Sequence, residues 1–320
     1  MMAPGERDTR GTEGQTPVTD PYVASPHWHG LITAYFFLGG VAAGAYAAFT
    51  LAGLFGDDDD RRATRGGAYM AFPLVAVCGI LLIVDLNRPE RFWHMMIQSE
   101  TFRPMFKWWS PMSVGSWGLS AFAAFSFASF AGVLAEDGWF GLGRWSPLAA
   151  RLGQGWVGRL FEIGGAASAF FLGAYTGTLL SATNQPVWAQ TSWLSPLFLA
   201  SSASTGVAAV VLAALWSRRG ATHEAVERLE WLDGFAIVLE LLMLTAFAIS
   251  LGPLAVRAFG HWPGVLIPTF VVPAGLLLPL AARTFPRRWT PLASAAAVLV
   301  GGLALRFAVV GMPAVFIVGR

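Results

Sequence analysis

Eight apolar runs, each about 20 residues and so long enough to cross roughly 30 Å of hydrocarbon, divide this 320-residue chain from end to end. They lie near Gly30–Phe55, Gly66–Leu86, Pro111–Leu134, Val157–Ser181, Ser192–Trp216, Leu232–Leu251, Gly264–Arg283 and Pro291–Val310. Lipid offers backbone N–H and C=O groups no partner, so each run is expected to be a helix that satisfies its own hydrogen bonds. The period-two alternation of strands is absent. The expected fold class is therefore all-α, a polytopic membrane protein with eight transmembrane helices. Composition agrees, because 12% charged residues is about half the share of a soluble domain.

The same composition excludes several functions. A net charge of +2 is too small for a nucleic-acid binder. The single cysteine, Cys78, lies inside an apolar run; it permits neither an internal disulfide nor a cysteine-held iron–sulfur cluster or zinc. Residues 1–28 are polar and rich in Gly, Pro and Thr, with no apolar core of a signal peptide, and are expected to be a disordered tail.

Polar connectors punctuate the spans: Asp57–Asp60 with Arg61 and Arg62, Trp139–Gly155, Asn184–Gln190, Arg218–Glu230 and Phe285–Arg288. Those after the first, third, fifth and seventh spans hold about three basic residues each, which by the positive-inside rule places both termini outside. Eight spans could form two four-helix bundles, 29–185 and 186–320, split at the polar connector Ala182–Thr191. Small residues at Gly39, Gly40 and Gly44 allow close approach of helix backbones.

Ionisable and aromatic groups gather at one level. With the termini outside, His29 and Tyr35 on the first span, Asp85 on the second, Ser113 and Trp117 on the third and Tyr175 on the fourth all approach the outer surface, at about 1.5 Å of rise per residue. Above them runs the connector Asp85-Leu86-Asn87-Arg88-Pro89-Glu90-Arg91-Phe92, continuing through Arg103 and Lys107. Aromatic walls, a few hydroxyls and a carboxylate or imidazole suit a quinone headgroup, whose two carbonyl oxygens accept hydrogen bonds and exchange protons. Interface-level tyrosines and a helix-ending aspartate are the plainer account of each residue alone; their convergence favours the pocket. The four cations Arg88, Arg91, Arg103 and Lys107 are expected on a partner-facing surface, with Arg88 also near the quinone. Structural pairing of Arg88 or Arg91 with Asp85 or Glu90 is the alternative.

Two carboxylates lie deeper, Glu162 near the inner end of the fourth span and Glu240 near the middle of the sixth. Charge inside a membrane is costly, which makes both proton-path candidates linking the quinone region to the inner side. Pairing of Glu240 with Arg306 is the structural alternative, and Arg306 itself is expected to snorkel toward the outer surface. None of the five histidines is placed on facing helices at depth, as haem ligation requires, so neither haem nor any other metal centre is expected.

Four motifs together resemble the NrfD/PsrC family of membrane subunits in polysulfide-reductase-type complexes. They are Tyr35-Phe36-Phe37-Leu38-Gly39-Gly40-Val41-Ala42-Ala43-Gly44; Asp85-Leu86-Asn87-Arg88-Pro89-Glu90-Arg91-Phe92; Ser110-Pro111-Met112-Ser113 with Gly115 and Trp117; and Tyr175-Thr176-Gly177. The resemblance covers about residues 30–185. It implies a haem-free subunit that reacts with menaquinone or ubiquinone near the outer face of the first bundle. It also implies a [4Fe–4S] ferredoxin-like partner, a further catalytic subunit and a bacterial cytoplasmic membrane. Where such members carry a histidine ahead of the small-residue patch, this chain has Tyr35, with His29 a turn and a half earlier. A proton-linked transporter or channel, and a purely structural anchor of a redox complex, are the competing readings.

Overall fold

The computed structural model describes residues 28, 30–139, 141, 143, 155–216, 222–283 and 290–318. His29 and nearly all of the N-terminal tail lie outside the described residues. Helices α1 (Gly30–Phe55), α2 (Asp58–Val84), α3 (Pro111–Glu136), α4 (Gly155–Ser181), α5 (Leu194–Trp216) and α6 (His223–Ser250) are followed by the short α7 (Leu254–Gly260). A π-helical stretch, Ile267–Leu277, runs into α8 (Leu278–Ala282), and α9 (Thr290–Gly311) and α10 (Ala314–Val318) complete the chain. Among the described residues seven helices are long and apolar enough to cross a membrane, and Ile267–Ala282 is a shorter apolar eighth. This is an all-helical, multi-pass membrane fold.

The first bundle is α1 to α4, in which α1 packs along α2 and α4, and α3 closes against both. The second is α5, α6, α9 and the π-helical segment. Helices α1 and α5 form the seam between them, and α1 is almost wholly buried from Gly39 to Thr50. Their approach is backbone to backbone. A Cβ at Gly44 would strike the Ser202 carbonyl, and one at Gly206 would strike the Gly44 backbone. With neither lipid nor water to squeeze apolar side chains together, such close packing is what holds membrane helices to each other. Gly44→Val is accordingly expected to destabilise the purified protein by about 1–3 kcal/mol or more through overpacking. A thermal melt identical to the wild type would mean that α1 and α5 separate at no cost.

Two connectors expected from the sequence turn out to be helix in part. The Asp57–Asp60 run opens α2, because Asp57 is its N-cap: its carboxylate accepts from the N–H groups of Asp59 and Asp60 (3.0 and 2.9 Å), and Asp60 accepts in return from the Asp57 N–H (3.3 Å). The Asp60 backbone N–H, with the Arg228 guanidinium beside it, holds the Asp57 carboxyl below its ordinary value. Likewise α6 begins at His223 rather than Leu232, capped by Thr222 and carrying the i,i+4 pair His223–Glu227 at 3.1 Å. Hydropathy marks where a helix leaves lipid, not where it stops.

Those helix extensions tie the two halves together at one end of the molecule, called here the Asp57 end. Arg228 of α6 reaches Asp57 (3.1 Å) and Asp60 (2.9 Å), and within the first bundle Arg65 reaches Glu136 (3.2 Å) and Asp137 (3.0 Å). The opposite, Arg88 end is closed differently. Trp188, in the connector before α5, is fully buried; its Nε1 donates to the Val309 carbonyl of α9 (2.8 Å) and its ring lies 5.1 Å from Trp28.

The seventh span departs from a regular α-helix. Pro273 has no N–H to donate, and the backbone widens into the π-helical turns of Ile267–Leu277. Gly275 meets Gly301 of α9 there, so the wide segment still packs closely.

Candidate functional site

At the Arg88 end of the first bundle lie Tyr35, Asp85, Ser113, Trp117 and Tyr175, at different depths and with different degrees of engagement. Tyr35 of α1 is buried, and its hydroxyl makes no hydrogen bond to any described residue. Beside it, Cys78 of α2 lies with its sulfur 3.7 Å from the Tyr35 carbonyl. Tyr175 of α4 is also buried. Asp85 ends α2 seven residues after Cys78, which puts it on the same helix face about 10 Å further out. Its carboxylate is exposed and pairs with none of the described residues.

The α3 residues are already occupied in part. Tyr175 donates to the Pro111 carbonyl (2.6 Å), and its ring fills the space that a side chain at Gly115 would need. Ser113 accepts from the Lys107 backbone N–H (3.0 Å), and Trp117 donates its Nε1 to the Met105 carbonyl (3.0 Å). An indole has one N–H to give, so Trp117 can offer a bound molecule only its ring. What these bonds do is fasten the connector. Met105–Lys107 is pinned onto α3 from below, and Ile97 bridges Pro104 above it. The Ser113 hydroxyl proton and the Tyr175 oxygen remain available.

Between α2 and α3 a 3-10 turn, Pro89–Met95, and the strapped loop behind it hold Arg88, Arg91, Arg103 and Lys107, all four exposed and none in an ion pair among the described residues. The alternative pairing of Arg88 or Arg91 with Asp85 or Glu90 is therefore not seen. Phe102, Phe106, Trp108 and Trp109 are exposed on the same loop, each by more than half of its surface. Phe102 has a φ of 51°, a left-handed conformation held by hydrogen bonds of the loop to Gln98 (Phe102 N–H, 2.8 Å) and from Gln98 to Arg103 (3.0 Å).

Of the deeper groups, Glu240 and Arg306 belong to a second centre, in the seam and second bundle. Glu240 is fully buried on α6, and Ser204 of α5 donates to its Oε2 in a short hydrogen bond. No ion pair joins it to Arg306. Arg306 does not snorkel; it is completely buried on α9 and points into the seam. Its Nε donates to the Phe36 carbonyl (3.0 Å), Nη1 to Ser201 Oγ (2.9 Å) and the Gly302 carbonyl (3.0 Å), and Nη2 to Ser202 Oγ (3.2 Å). The rings of Phe198 and Phe37 face it at 5.5 and 5.9 Å. Only glycine fits at position 40, where a Cβ would collide with this guanidinium. Arg306 thus joins α1, α5 and α9, and it touches the residue next to Tyr35.

Glu162 of α4 sits elsewhere, near the Asp57 end, 3.5 Å from Arg61 and packed over Gly53. Sequence reasoning missed Asp233, which is buried on α6 and paired with Arg283 at 2.5 Å. Asp233 fell at the polar edge of the expected span, whose start was placed nine residues too late. Also passed over was Ser201-Ser202-Ala203-Ser204-Thr205, a hydroxyl run in mid-span that signals a polar centre.

The chain matches the family model described as polysulphide reductase, NrfD, over residues 22–318. It is 32% identical over 226 residues, 68% of each chain, to the C subunit of the polysulfide reductase of Wolinella succinogenes. The family match runs through both bundles, whereas the motifs in the sequence lay only in the first. No group of three or more His, Cys, Asp or Glu able to hold a metal ion occurs among the described residues. Taken with the seven long spans and the shorter eighth, these matches place the chain in the polysulphide reductase NrfD family of multi-pass membrane proteins.

Proposed function

We propose that this chain is the membrane subunit of a respiratory reductase complex, exchanging electrons between the quinone pool and an iron–sulfur partner docked over the Arg88 end. The observation that carries this reading is that one end of the first bundle holds a buried tyrosine whose hydroxyl bonds to no described residue (Tyr35) and, further out on the neighbouring helix, an exposed carboxylate that pairs with no described residue (Asp85). Those two groups fit a quinone. Tyr35 would donate to one carbonyl oxygen, and the rings of Tyr175 and Trp117 would supply aromatic wall. When bound, a quinone supplies two-electron, two-proton chemistry. The chain's own part is to hold it under the pinned connector and to pass protons to water at Asp85, assisted by His29. The relative's name, which makes it one lettered subunit of a polysulfide reductase, supports an assembly of several subunits.

The four cations, none in an ion pair among the described residues, and the exposed aromatic side chains of the same loop are the docking surface in this reading, and they lie outside the membrane, as do both termini. Charge reversal at Arg103 and Lys107 is expected to weaken association with an acidic iron–sulfur subunit, more so at low salt than at high salt. Co-purification in equal amount at both ionic strengths would move the docking surface elsewhere. Purification with native partners tests the function as a whole. A co-purifying iron–sulfur protein together with saturable quinol binding supports it, and an iron–sulfur partner without quinol binding would leave only an anchor.

Glu240, buried at the heart of the second bundle, supports a role in moving protons from the opposite side. It also keeps a proton-linked transporter as the second reading, which predicts neither partner nor quinol. Glu162, at 3.5 Å from Arg61, is the corresponding group in the first bundle.

A further inference from the structure

Buried polar atoms in proteins nearly always have a partner, so those that do not call for an explanation. Three such atoms belong to the buried side of α6 and the arginine paired with it: Asp233 Oδ1, Arg283 Nε and Glu240 Oε1. Asp233 and Glu240 are seven residues apart on α6, two turns along the same face, or about 10 Å. That face is buried through Gly234, Ile237 and Leu244, while Trp231, Phe235, Val238 and Leu242 line the exposed side. Each carboxylate is fastened by one oxygen only. Arg283 Nη2 holds Asp233 Oδ2 at 2.5 Å, and Ser204 holds Glu240 Oε2, so the second oxygen of each is left over. Such atoms are ordinarily satisfied by ordered water, which makes about three hydrogen bonds per molecule.

We propose that Asp233, Arg283 and Glu240 line a hydrated proton inlet, running from the Asp57 end of the second bundle to a proton-holding site at Glu240. The mouth is Arg283, whose side chain is 22% exposed while that of Asp233 is 5% exposed. Gly234 leaves room for the guanidinium, since a Cβ there would lie 2.5 Å from Arg283 Nη1. A proton from the aqueous end binds Asp233 Oδ1. It leaves through a file of about two or three waters at ~2.8 Å per hydrogen bond, and the proton lost by Asp233 is the one gained at Glu240 Oε1. No electron moves in this step. Beyond Glu240 the hydroxyls of Ser204 and Ser201 lead to Arg306, whose fixed positive charge opposes an advancing proton, so the proton rests on Glu240 before any onward transfer. The inlet deepens the proton role given to Glu240 above and rests on that part of the reading, but not on quinone chemistry.

The test is infrared hydrogen–deuterium exchange on the purified membrane complex. The protonated carboxyl band of Glu240 is assigned by its loss in Glu240→Gln. In the wild type this band is expected to shift soon after transfer to D2O. Asp233→Asn keeps a partner for Arg283 but cannot carry a proton, and exchange is expected to slow about a hundredfold, the lower range for loss of a positioned proton carrier. Because the single change leaves Arg283 without its counter-charge, Asp233→Leu combined with Arg283→Met serves as the second variant; removing both members of a buried pair is far better tolerated than removing one. Exchange at the wild-type rate in either folded variant, or no Glu240-dependent carboxyl band at any pH at which the complex is intact, overturns the inlet. Normal exchange in a complex that neither binds nor turns over quinol would instead remove the quinone reading and leave the inlet standing.

Discussion

Arg306→Ala is expected to destabilise the protein by about 2–4 kcal/mol, from four hydrogen bonds at roughly 0.6–1 kcal/mol each in a membrane interior. The change removes a side chain that ties α1, α5 and α9 by direct hydrogen bonds, and it strands the hydroxyls of Ser201 and Ser202 in the seam. It also opens a cavity between the Phe37 and Phe198 rings. Arg306→Lys is expected to recover little of this, since an ammonium lacks the planar fork that reaches three helices at once. Thermal unfolding of the purified protein is the measurement. A melt unchanged in Arg306→Ala would mean that small-residue packing around Gly44 and Gly206 holds the halves together without help.

Asp85→Asn is expected to lower quinol-linked turnover of the assembled complex about a hundredfold, the scale of a positioned proton acceptor at a reacting group. An amide keeps the shape of the side chain and loses the proton exchange, so quinol affinity is expected to change far less than turnover. Tyr35→Phe is expected to show the reverse pattern, with weaker binding from the lost hydrogen bond. Glu90→Gln, an exposed carboxylate five residues further along the connector, serves as the control and is expected to leave both quantities alone. Full turnover in Asp85→Asn would assign proton exchange to another group, with His29 the first to examine.

How legible the protein was in its sequence depends on the range of the interactions involved. The connector Asp85–Lys107 was recognisable because its features are local: charges and aromatics between two apolar runs belong at an interface. That the Tyr35 hydroxyl bonds to no described residue while Trp117 has spent its N–H on Met105 could not be read, because both depend on how segments distant in the chain fold against one another. Asp233 was missed for a simpler reason. A charged start such as His223–Glu230 lowers hydropathy without ending the helix, and the i,i+4 pairs that sustain it are invisible to a search for apolar runs.

By itself the sequence determined the number of spans, their helical nature and the end of the bundle at which the aromatic and charged groups collect. Each of these follows from residues close together in the chain and from the demand of lipid that backbone groups be satisfied within a segment. Tertiary structure alone decided which polar groups meet in the interior. Arg306 was expected at a water surface because an arginine considered on one helix can always reach outward. It turns inward because Gly40, Ser201 and Ser202 on other helices leave it a socket, and the carbonyl it bonds belongs to a residue 270 positions earlier. The physical reason is that a membrane interior offers no water, so a buried cation goes wherever the crossing of helices concentrates enough acceptors to replace it.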